Sequence, residues 1–398
     1  MTTPNAVVRV KGFRFSALSV GIKKDGRSDL ALAVADQSAV AAGLFTRNLV
    51  RAAPVDVAAE RLRAGRARAV LVNSGCANAC TGEAGLAATL STTAAVGRAL
   101  GIDASEVVPA STGVIGALLP VERIVARAGE LAAGLSAENH PAFAQAICTT
   151  DRWPKIGHAL VGANGATLLG IAKGAGMIHP DLATLEKQAT LLVFLFTDAI
   201  VERDVLERSL IEACDTTFNA CSVDGDTSTN DSMIALSSGA SGCRVEPDEL
   251  TTAFRTVCDR LARSVVADGE GSTQIVEIRV RGLGSREQAR AVARTIATSL
   301  LTKTALHGRD PNWGRMLGAA GRAGVSFDPA LARIAVGGVP IVERGVTLGT
   351  EAEARAAAAM KAESYVIELE LGTGPGEFSY LGCDLGHGYV DVNAAYRS

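Results

Sequence analysis

Short apolar runs alternate with longer amphipathic segments along the whole chain, but they follow no regular β-α-β order. Apolar runs of about 4–8 residues are typical of strands, and apolar residues that recur every three or four positions are typical of helices. A regular alternation would favour an all-parallel sheet, whereas this irregular mixture favours helices layered on a substantially antiparallel sheet. The sequence therefore predicts a layered, mixed α/β fold.

Strand-like runs and helical segments both occur in each half of the chain. We predict strands at residues 7–10, 30–34, 67–73, 107–111, 191–196, 274–281, 366–371 and 378–381. We predict helices at residues 55–62, 84–100, 120–135, 204–218, 247–264 and 286–301. No internal repeat and no low-complexity linker separates these elements, so composition does not divide the chain into domains.

Composition limits the partners and the compartment that we expect. Apolar residues make up 48% of the 398 residues but aromatic residues only 4%, so we expect cores of small aliphatic side chains. The net charge of −3 gives no reason to expect nucleic acid or an anionic membrane as a partner. The longest strongly apolar stretch, residues 189–196, is far shorter than the ~20 residues of a membrane-spanning helix. Because the first residues also lack the pattern of a secretory segment, we expect a soluble, cytoplasmic protein.

The eight cysteines are dispersed, and only Cys76 and Cys80 lie close together in the sequence. Their spacing is not one of the usual zinc or redox spacings, and no cluster of cysteine and histidine lies nearby. We therefore expect reduced, mostly buried thiols and no metal site.

The common hydrolase and nucleotide-binding motifs are missing from the sequence. It contains no Gly-x-Ser-x-Gly, no His-Glu-x-x-His and no Walker loop, and its five histidines are far apart. What remains is a glycine-rich segment, residues 173–183, that leads to an Ala189-Thr190 step at the start of an apolar run.

That step suggests a threonine nucleophile. A threonine hydroxyl needs a base, and cleavage before Thr190 would place a free α-amine beside the hydroxyl. An α-amine has a pKa of about 7.7–8.0, which suits a general base near neutral pH. Attack of the hydroxyl on the preceding carbonyl would make the cleavage autocatalytic. Taken alone, however, an Ala-Thr step before a strand is ordinarily only a structural feature.

Several motifs in register resemble those of the ornithine acetyltransferase (glutamate N-acetyltransferase, ArgJ) family over nearly the whole chain. The central motif is Lys-Gly-x-Gly-Met-x-x-Pro-x-x-Ala-Thr, followed by Leu-x-Phe-x-x-Thr-Asp-Ala. The other motifs occur in the family's order at residues 45–48, 73–75, 111–116, 149–151, 226–231, 269–271 and 310–315, and at the tail residues 393 and 396–398.

The resemblance implies an α/β sandwich of the ornithine acetyltransferase type and a ping-pong reaction. The threonine takes the acetyl group from N2-acetylornithine, releasing ornithine, and passes it to glutamate to form N-acetylglutamate. The resemblance also implies self-cleavage into an α chain, residues 1–189, and a β chain, residues 190–398, which would pair as an α2β2 heterotetramer. No metal or redox cofactor is expected, but some members of the family also accept acetyl-CoA as a co-substrate.

The family's functional residues can be transferred to matching positions. By resemblance, Thr112 and the backbone of Gly113 form the oxyanion hole. Lys173 suits a substrate carboxylate, and Glu270 suits the ornithine ammonium group. The complete set of expected substrate contacts is Thr149, Lys173, Thr190, Glu270, Asn393 and Ser398.

Three positions depart from the family pattern. Leu191 replaces a common methionine, and Gln274 replaces a lysine, which would change the charge near the site. The third departure is an insertion that leaves two Ala-Thr steps, one ending at Thr184 and one at Thr190. Thr190 keeps the family's spacing to the apolar run, whereas Thr184 keeps its spacing to Lys173, and we favour Thr190 as the nucleophile.

Two other functions stay open on the sequence alone. One is a self-processing amidase or aminopeptidase, in which water replaces glutamate as the acceptor. The other is an unprocessed, non-catalytic protein that keeps the amino-acid pocket but cannot mature because of the insertion.

Overall fold

The structure is a computed structural model that describes residues 8–162, 165–183 and 191–394. The chain forms two compact units. Unit 1 comprises the residues up to 219 together with 226–265, and unit 2 comprises residues 220–225 and those from 266 onwards. In the described part, no helix is long and apolar enough to cross a membrane.

Unit 1 is built from a mixed sheet with helices on both faces. Its described strands are β1 (Phe13–Leu18), β2 (Leu30–Thr46), β3 (Arg66–Cys76), β4 (Val107–Val114), β5 (Lys155–Val161), β6 (Ala166–Lys173), β7 (Leu182–Ala183), β8 (Leu192–Thr197) and β9 (Ser232–Ser237). Its described helices are α1 (Ala53–Leu62), α2 (Gly82–Leu100), α3 (Val121–Ala133), α4 (His140–Ile147), α5 (Arg203–Thr216) and α6 (Pro247–Ala267), the last of which extends two residues beyond the unit.

The strand order in unit 1 is β4-β3-β2-β9-β8-β6-β5, and β1 and β7 both pair with β2. The pairs β3–β4 and β8–β9 are parallel. The remaining described pairs in this sheet are antiparallel. This confirms the prediction of a substantially antiparallel sheet within a mixed α/β fold.

The long strand β2 shows why this sheet is covered on both faces. Leu30, Leu32 and Val34 pack with apolar residues of α2 and α3. The alternate residues, such as Ala31 and Ala33, pack in a second cluster with residues of α1 and α4. Because successive side chains of a strand point to opposite faces, a continuous apolar run is what two buried faces require.

Helix α6 approaches the β5–β6 hairpin at two paired glycines. Gly157 and Gly170 are register partners. A Cβ atom on Gly170 would lie 2.9 Å from Leu261 Cδ1, and one on Gly157 would lie 3.5 Å from Val257 Cγ1. The missing side chains therefore let α6 lie directly on the hairpin that carries Lys173 at its end.

Unit 2 contains a second sheet with its own core. Its described elements are β10 (Ile275–Gly282), α7 (Arg286–Ala297), α8 (Leu300–His307), α9 (Trp313–Gly321), β11 (Arg333–Val336), β12 (Val339–Glu343), β13 (Val346–Thr347), α10 (Thr350–Ala359), β14 (Ser364–Glu370), β15 (Gly374–Cys383) and α11 (His387–Ala394). The strand order is β13-β12-β11-β14-β10-β15, with β10 and β14 parallel. The apolar faces of β10 and β14 pack against α7 in one cluster.

Two local predictions were wrong, and several elements, among them α4, β9, α9, β11, β12, β13 and α10, were not predicted. Residues 8–10 are not in a strand, and β1 starts only at Phe13. The predicted helix 286–301 is two helices, because Ser299 interrupts the first and caps α8 by accepting from Thr302 N. The β5–β6 hairpin was not predicted, although its second strand carries a predicted site residue.

Candidate active site

Thr112 and Gly113 lie near the end of β4, beside the end of the parallel strand β3. Gly75 and Gly113 are register partners across these strands. Gly113 has a φ of +132°, and a Cβ there would lie 2.5 Å from Cys76 N. Only glycine fits such a conformation and such a close approach. The backbone at Gly113 is thus held in one shape, as an oxyanion donor requires.

A buried polar network supports the end of β4. Asn230, just before β9, donates through Nδ2 to Ser111 O over 2.9 Å and to Ala77 O over 2.6 Å. Ser111 Oγ in turn donates to Asn73 Oδ1 over 2.5 Å. These bonds join the ends of β3 and β4 to the start of β9. Because buried amide groups are costly to leave unpaired, the network favours one arrangement of the strands around Thr112.

Lys173 is the last residue of β6, and its side chain reaches Thr112 of β4. Its side chain is 8% exposed, and its Nζ donates to Thr112 Oγ1 over 3.1 Å. Lys173 is also the register partner of Leu192, the first residue of β8. The structure therefore places the predicted substrate lysine beside the predicted oxyanion threonine, at the point where the chain enters β8.

Asp151 connects Lys173 to the segment that carries Thr149. Its Oδ1 accepts from Lys155 Nζ and from Gly174 N, both over 2.7 Å, and its Oδ2 accepts from Thr149 N over 2.9 Å. Lys173 Nζ lies 3.9 Å from Asp151 Oδ2. A single carboxylate thus contacts both of the predicted substrate-contact residues that the structure describes in this unit.

The charges of this cluster determine the ionisation of Asp151. Burial by itself would raise the pKa of the Asp151 carboxyl, but the ammonium groups of Lys173 and Lys155 outweigh burial and hold this pKa well below its usual range. Lys155 and Asp151 are fully buried at their side chains and form a direct ion pair. Lys173 is too far from Asp151 for a hydrogen bond, so its charge is only partly compensated within the described residues.

Glu270 and Asn393 form a second pair of predicted site residues, within unit 2. Asn393 Nδ2 donates to Glu270 Oε2 over 2.8 Å and to Tyr389 O over 3.0 Å. A Cβ on Gly271 would lie 2.9 Å from Tyr389 Cα, so the loop and α11 are in close contact. The structure therefore brings together the predicted acidic residue and the predicted contact from the C-terminal segment.

Four predicted site residues lie outside the described part of the chain. They are Thr184, Ala189, Thr190 and Ser398. Their described neighbours are placed differently: Ala183 pairs with Phe45 of β2, whereas Leu191 is buried directly before β8. The nucleophile, the cleavage position and the role of Ser398 stay predictions.

The ArgJ family model matches residues 14–398. The chain belongs to the ArgJ family. It is 45% identical to the arginine biosynthesis bifunctional protein ArgJ of Nitratidesulfovibrio vulgaris over 98% of this chain and 99% of that protein. It is 43% identical to the protein of the same name from Gloeobacter violaceus, over 98% of both.

Two solved structures are also similar to this ArgJ-family chain. The crystal structure of arginine biosynthesis bifunctional protein ArgJ from Bacillus halodurans is 35% identical, with a TM-score of 0.49, over 51% of this chain and 98% of that one. The ornithine acetyltransferase of Mycobacterium tuberculosis, complexed with ornithine, is 43% identical, with a TM-score of 0.43, over 44% of this chain and 95% of that one.

Family membership confirms three predictions from the sequence. They are the family itself, the mixed α/β fold class, and the prediction that the chain is an acetyltransferase enzyme of arginine biosynthesis. The roles of individual residues are not tested by this membership, and they stay predictions for this ArgJ-family enzyme.

The structure shows the surroundings of one departure from the family pattern. Gln274 is only 3% exposed. It donates through Nε2 to Met360 O over 2.9 Å and accepts from Tyr365 OH over 3.1 Å. A neutral amide with both ends paired fits the interior of unit 2, whereas a charge there would be costly. Gln274 is therefore a paired residue of the unit's interior, and its effect on the charge near the site stays a prediction.

Sequence reasoning missed Asp151, Lys155 and Asn230. Asp151 belongs to the 149–151 motif and Asn230 to the 226–231 motif, but only Thr149 was selected from them. The signal that could have identified Asp151 and Asn230 is that each is a polar residue within a motif that resembles the family. Lys155 carried no signal in the sequence, because its ion pair depends on the loop that precedes β5.

Proposed function

We propose that this enzyme transfers the acetyl group of N2-acetylornithine to glutamate through an acetylated threonine, releasing ornithine and forming N-acetylglutamate. The proposal is supported by the relatives named for arginine biosynthesis. The observation that carries it is the contact of Lys173 Nζ with Thr112 Oγ1, next to Gly113. A cation and a hydroxyl meet there beside the backbone of Gly113, and acyl transfer requires such donors around the oxyanion.

The proposed nucleophile is Thr190, with Thr184 as the alternative. In maturation, the hydroxyl attacks the carbonyl of Ala189, the peptide C–N bond breaks to leave an ester, and water hydrolyses the ester. The new α-amine then acts as the base of the acetyl-transfer cycle. The pairing of Leu192 with Lys173 supports Thr190, because the chain just after this threonine lies beside the site lysine.

The proposed substrate contacts divide by charge. Lys173 has three N–H groups, so it can donate to Thr112 and still donate to a substrate carboxylate. Glu270 has a neutral partner in Asn393, which leaves its charge available for the ornithine ammonium. Thr149 and Ser398 complete the proposed set.

The assembly and the location are proposals of the same kind. We propose an α chain of residues 1–189 and a β chain of residues 190–398, paired as an α2β2 heterotetramer in the cytoplasm. Both β7 and β8, on either side of the proposed cut, belong to the sheet of unit 1. The pairing of β6 with β8, and of β2 with β9, would hold the two chains together after cleavage. No metal or redox cofactor is proposed, and acetyl-CoA is proposed as a second acetyl donor.

The test combines an assay with identification of the cut. Purified protein is incubated with N2-acetylornithine and glutamate, and the products are followed by mass spectrometry. We expect ornithine and N-acetylglutamate, two fragments in the intact mass, and Thr-Leu-Leu-Val at the start of the smaller fragment. Acetate in place of N-acetylglutamate would identify a hydrolase, and Thr-Leu-Glu-Lys would identify Thr184 as the nucleophile. A stable uncleaved chain without activity would support the non-catalytic protein.

A further inference from the structure

A buried ion cluster behind the oxyanion position carries the inference. It consists of Asp151, Lys155 and Lys173, which together hold one negative and two positive charges. Lys155 takes the close position at 2.7 Å from Asp151, and Lys173 takes the distant one at 3.9 Å. Lys155 thus neutralises the Asp151 carboxylate, and the N–H groups of Lys173 are left to donate to other groups.

The orientation of the Thr112 hydroxyl follows from this arrangement. Thr112 Oγ1 accepts from Lys173 Nζ, and a hydroxyl that accepts a bond on one lone pair still has one O–H to donate. Among the described residues, no acceptor is recorded for that O–H. The O–H is therefore directed away from Lys173 and is available to a developing oxyanion.

We infer that Asp151 is a positioning residue that holds Lys173 on Thr112 and thereby aims the Thr112 O–H at the oxyanion. The inference rests on the proposed function, because it assigns an oxyanion role to Thr112. Asp151 makes three contacts that support this role. Its charge attracts the ammonium group of Lys173, and its carboxylate accepts hydrogen bonds from Gly174 N, directly after Lys173, and from Thr149 N. The hydrogen bond from Gly174 N fixes the backbone at the end of β6, next to Lys173. The negative charge of Asp151 fixes the position of the Lys173 ammonium group.

The experiment needs variants that do not leave a buried charge alone. Asp151→Asn by itself would remove the carboxylate that neutralises the buried charge of Lys155, which can prevent folding. The main variant therefore combines Asp151→Asn with Lys155→Met, which removes both members of the close ion pair. Asp151→Glu is a second variant that keeps all charges but moves the carboxylate by one methylene.

Asp198→Asn is the matched control. Asp198 is also buried and accepts two backbone N–H groups, from Lys11 over 3.1 Å and from Thr167 over 2.7 Å. It follows the last residue of β8, whereas Lys173 pairs with the first. A strand of that length separates them by about 20 Å. Asp198→Asn should lower the melting temperature without lowering kcat.

The readouts are kcat, KM and the crystal structure of each variant, with and without Thr112→Val. We expect the double variant to lose about 100-fold in kcat, because a shift of about 1 Å in a catalytic donor has such an effect, and to raise KM as well, because Lys173 and Thr149 are proposed substrate contacts. We expect Asp151→Glu to lose kcat in the same direction. In the Thr112→Val background, the same changes should cost little more, since groups that act through one another are not additive. The structure should show Lys173 Nζ displaced from residue 112.

Two results would overturn the inference. One is an unchanged kcat in the double variant or in Asp151→Glu, and the other is an equal loss with and without the Thr112 hydroxyl. Failure of the proposed function is seen separately, as the absence of acetyl transfer in the unmodified enzyme. In that case the crystal structures still test the inference: Lys173 Nζ unmoved in the double variant would overturn it, and a displaced Nζ would support it.

Discussion

Gly113 of β4 faces Gly75 of β3 so closely that a Cβ on Gly113 would lie 2.7 Å from Gly75 Cα. The two strands can reach this separation only because Gly113 has no side chain. The approach gives the backbone after Thr112 its shape, and it makes the site sensitive to the smallest substitution.

We expect Gly113→Ala to destabilise unit 1 and to abolish turnover. The left-handed conformation alone costs about 1–3 kcal/mol in a residue with a Cβ, and the overlap with β3 adds to this cost. Gly116→Ala is the control, because Gly116 has a φ of +83° but nothing within 4 Å of its Cβ position. Melting temperatures should fall clearly further for Gly113→Ala. An equal fall in melting temperature for Gly113→Ala and Gly116→Ala would show that β3 and β4 do not approach each other closely at Gly113.

Thr112→Val should lower turnover while the fold survives. Valine keeps the shape of threonine but removes the hydroxyl that accepts from Lys173 and would donate to the oxyanion. Loss of one such donor costs about 2.7–4 kcal/mol of transition-state stabilisation, or about 100- to 1,000-fold in kcat. Thr93→Val is the control, since that buried hydroxyl donates only within α2, to Thr89 O and Leu90 O. A Thr112→Val enzyme with normal kcat would remove Thr112 from the oxyanion hole.

Glu270→Gln should weaken use of the natural donor more than use of a donor without a side-chain ammonium. N2-acetylnorvaline has the carbon chain of N2-acetylornithine but lacks the terminal amine, so it serves as the matched substrate. We expect kcat/KM for N2-acetylornithine to fall by about 10- to 100-fold, as for the loss of a charge-assisted bond of about 1.5–3 kcal/mol. The value for N2-acetylnorvaline should change little. Equal losses for both donors would argue against an ammonium contact.

Asp384→Asn should destabilise unit 2 at neutral pH but not in acid. Burial would raise the pKa of the Asp384 carboxyl, but bonds from His307, Thr273 and Gln274 outweigh it and lower this pKa. A lowered pKa in the folded state stabilises above the unfolded pKa of about 3.9, and this stability is lost as the pH falls further. The melting temperatures of the variant and the unmodified protein should therefore converge below about pH 4. Asp328→Asn is the control variant, because Asp328 is exposed and its carboxylate accepts only from Ala330 N among the bonds described. A constant difference at all pH values would contradict this assignment.

Cys80 should be the first thiol to react with a soluble disulfide reagent. All eight cysteines are free, Cys80 is exposed, Cys243 is partly buried and the other six are buried. Burial also raises the pKa of the Cys148 thiol to about 11, which slows its reaction further. We expect about one rapid equivalent in the native protein, lost in Cys80→Ser, and the remaining equivalents only after denaturation. A rapid equivalent that persists in Cys80→Ser would place the reactive thiol elsewhere.

Local periodicity predicted three of the strands around the site, β3, β4 and β8, but not β5, β6 or β9. The strand at 107–111 and the apolar run at 191–196 correspond to β4 and β8, because a buried strand needs an unbroken apolar run whatever its partners are. The break between α7 and α8 was not predicted, because the apolar spacing continues across Ser299 and only its capping bond marks the interruption. The motifs identified Thr112, Gly113, Lys173, Glu270 and Asn393 as candidates but could not say which of them touch.

The sequence by itself determined the family, the fold class, and the pattern of residues that the chemistry requires, because motifs and periodicity are local properties of the chain. Only the tertiary structure decided the contacts between distant residues. Lys173 and Thr112 are 61 positions apart, and Asn393 and Glu270 are 123 apart. Such contacts depend on strand order, on register and on the turns between strands, and a shift of one residue in β6 would turn Lys173 to the opposite face of the sheet. The central place of Asp151 follows for the same reason, since its partners meet only when the loop before β5 packs against the end of β6.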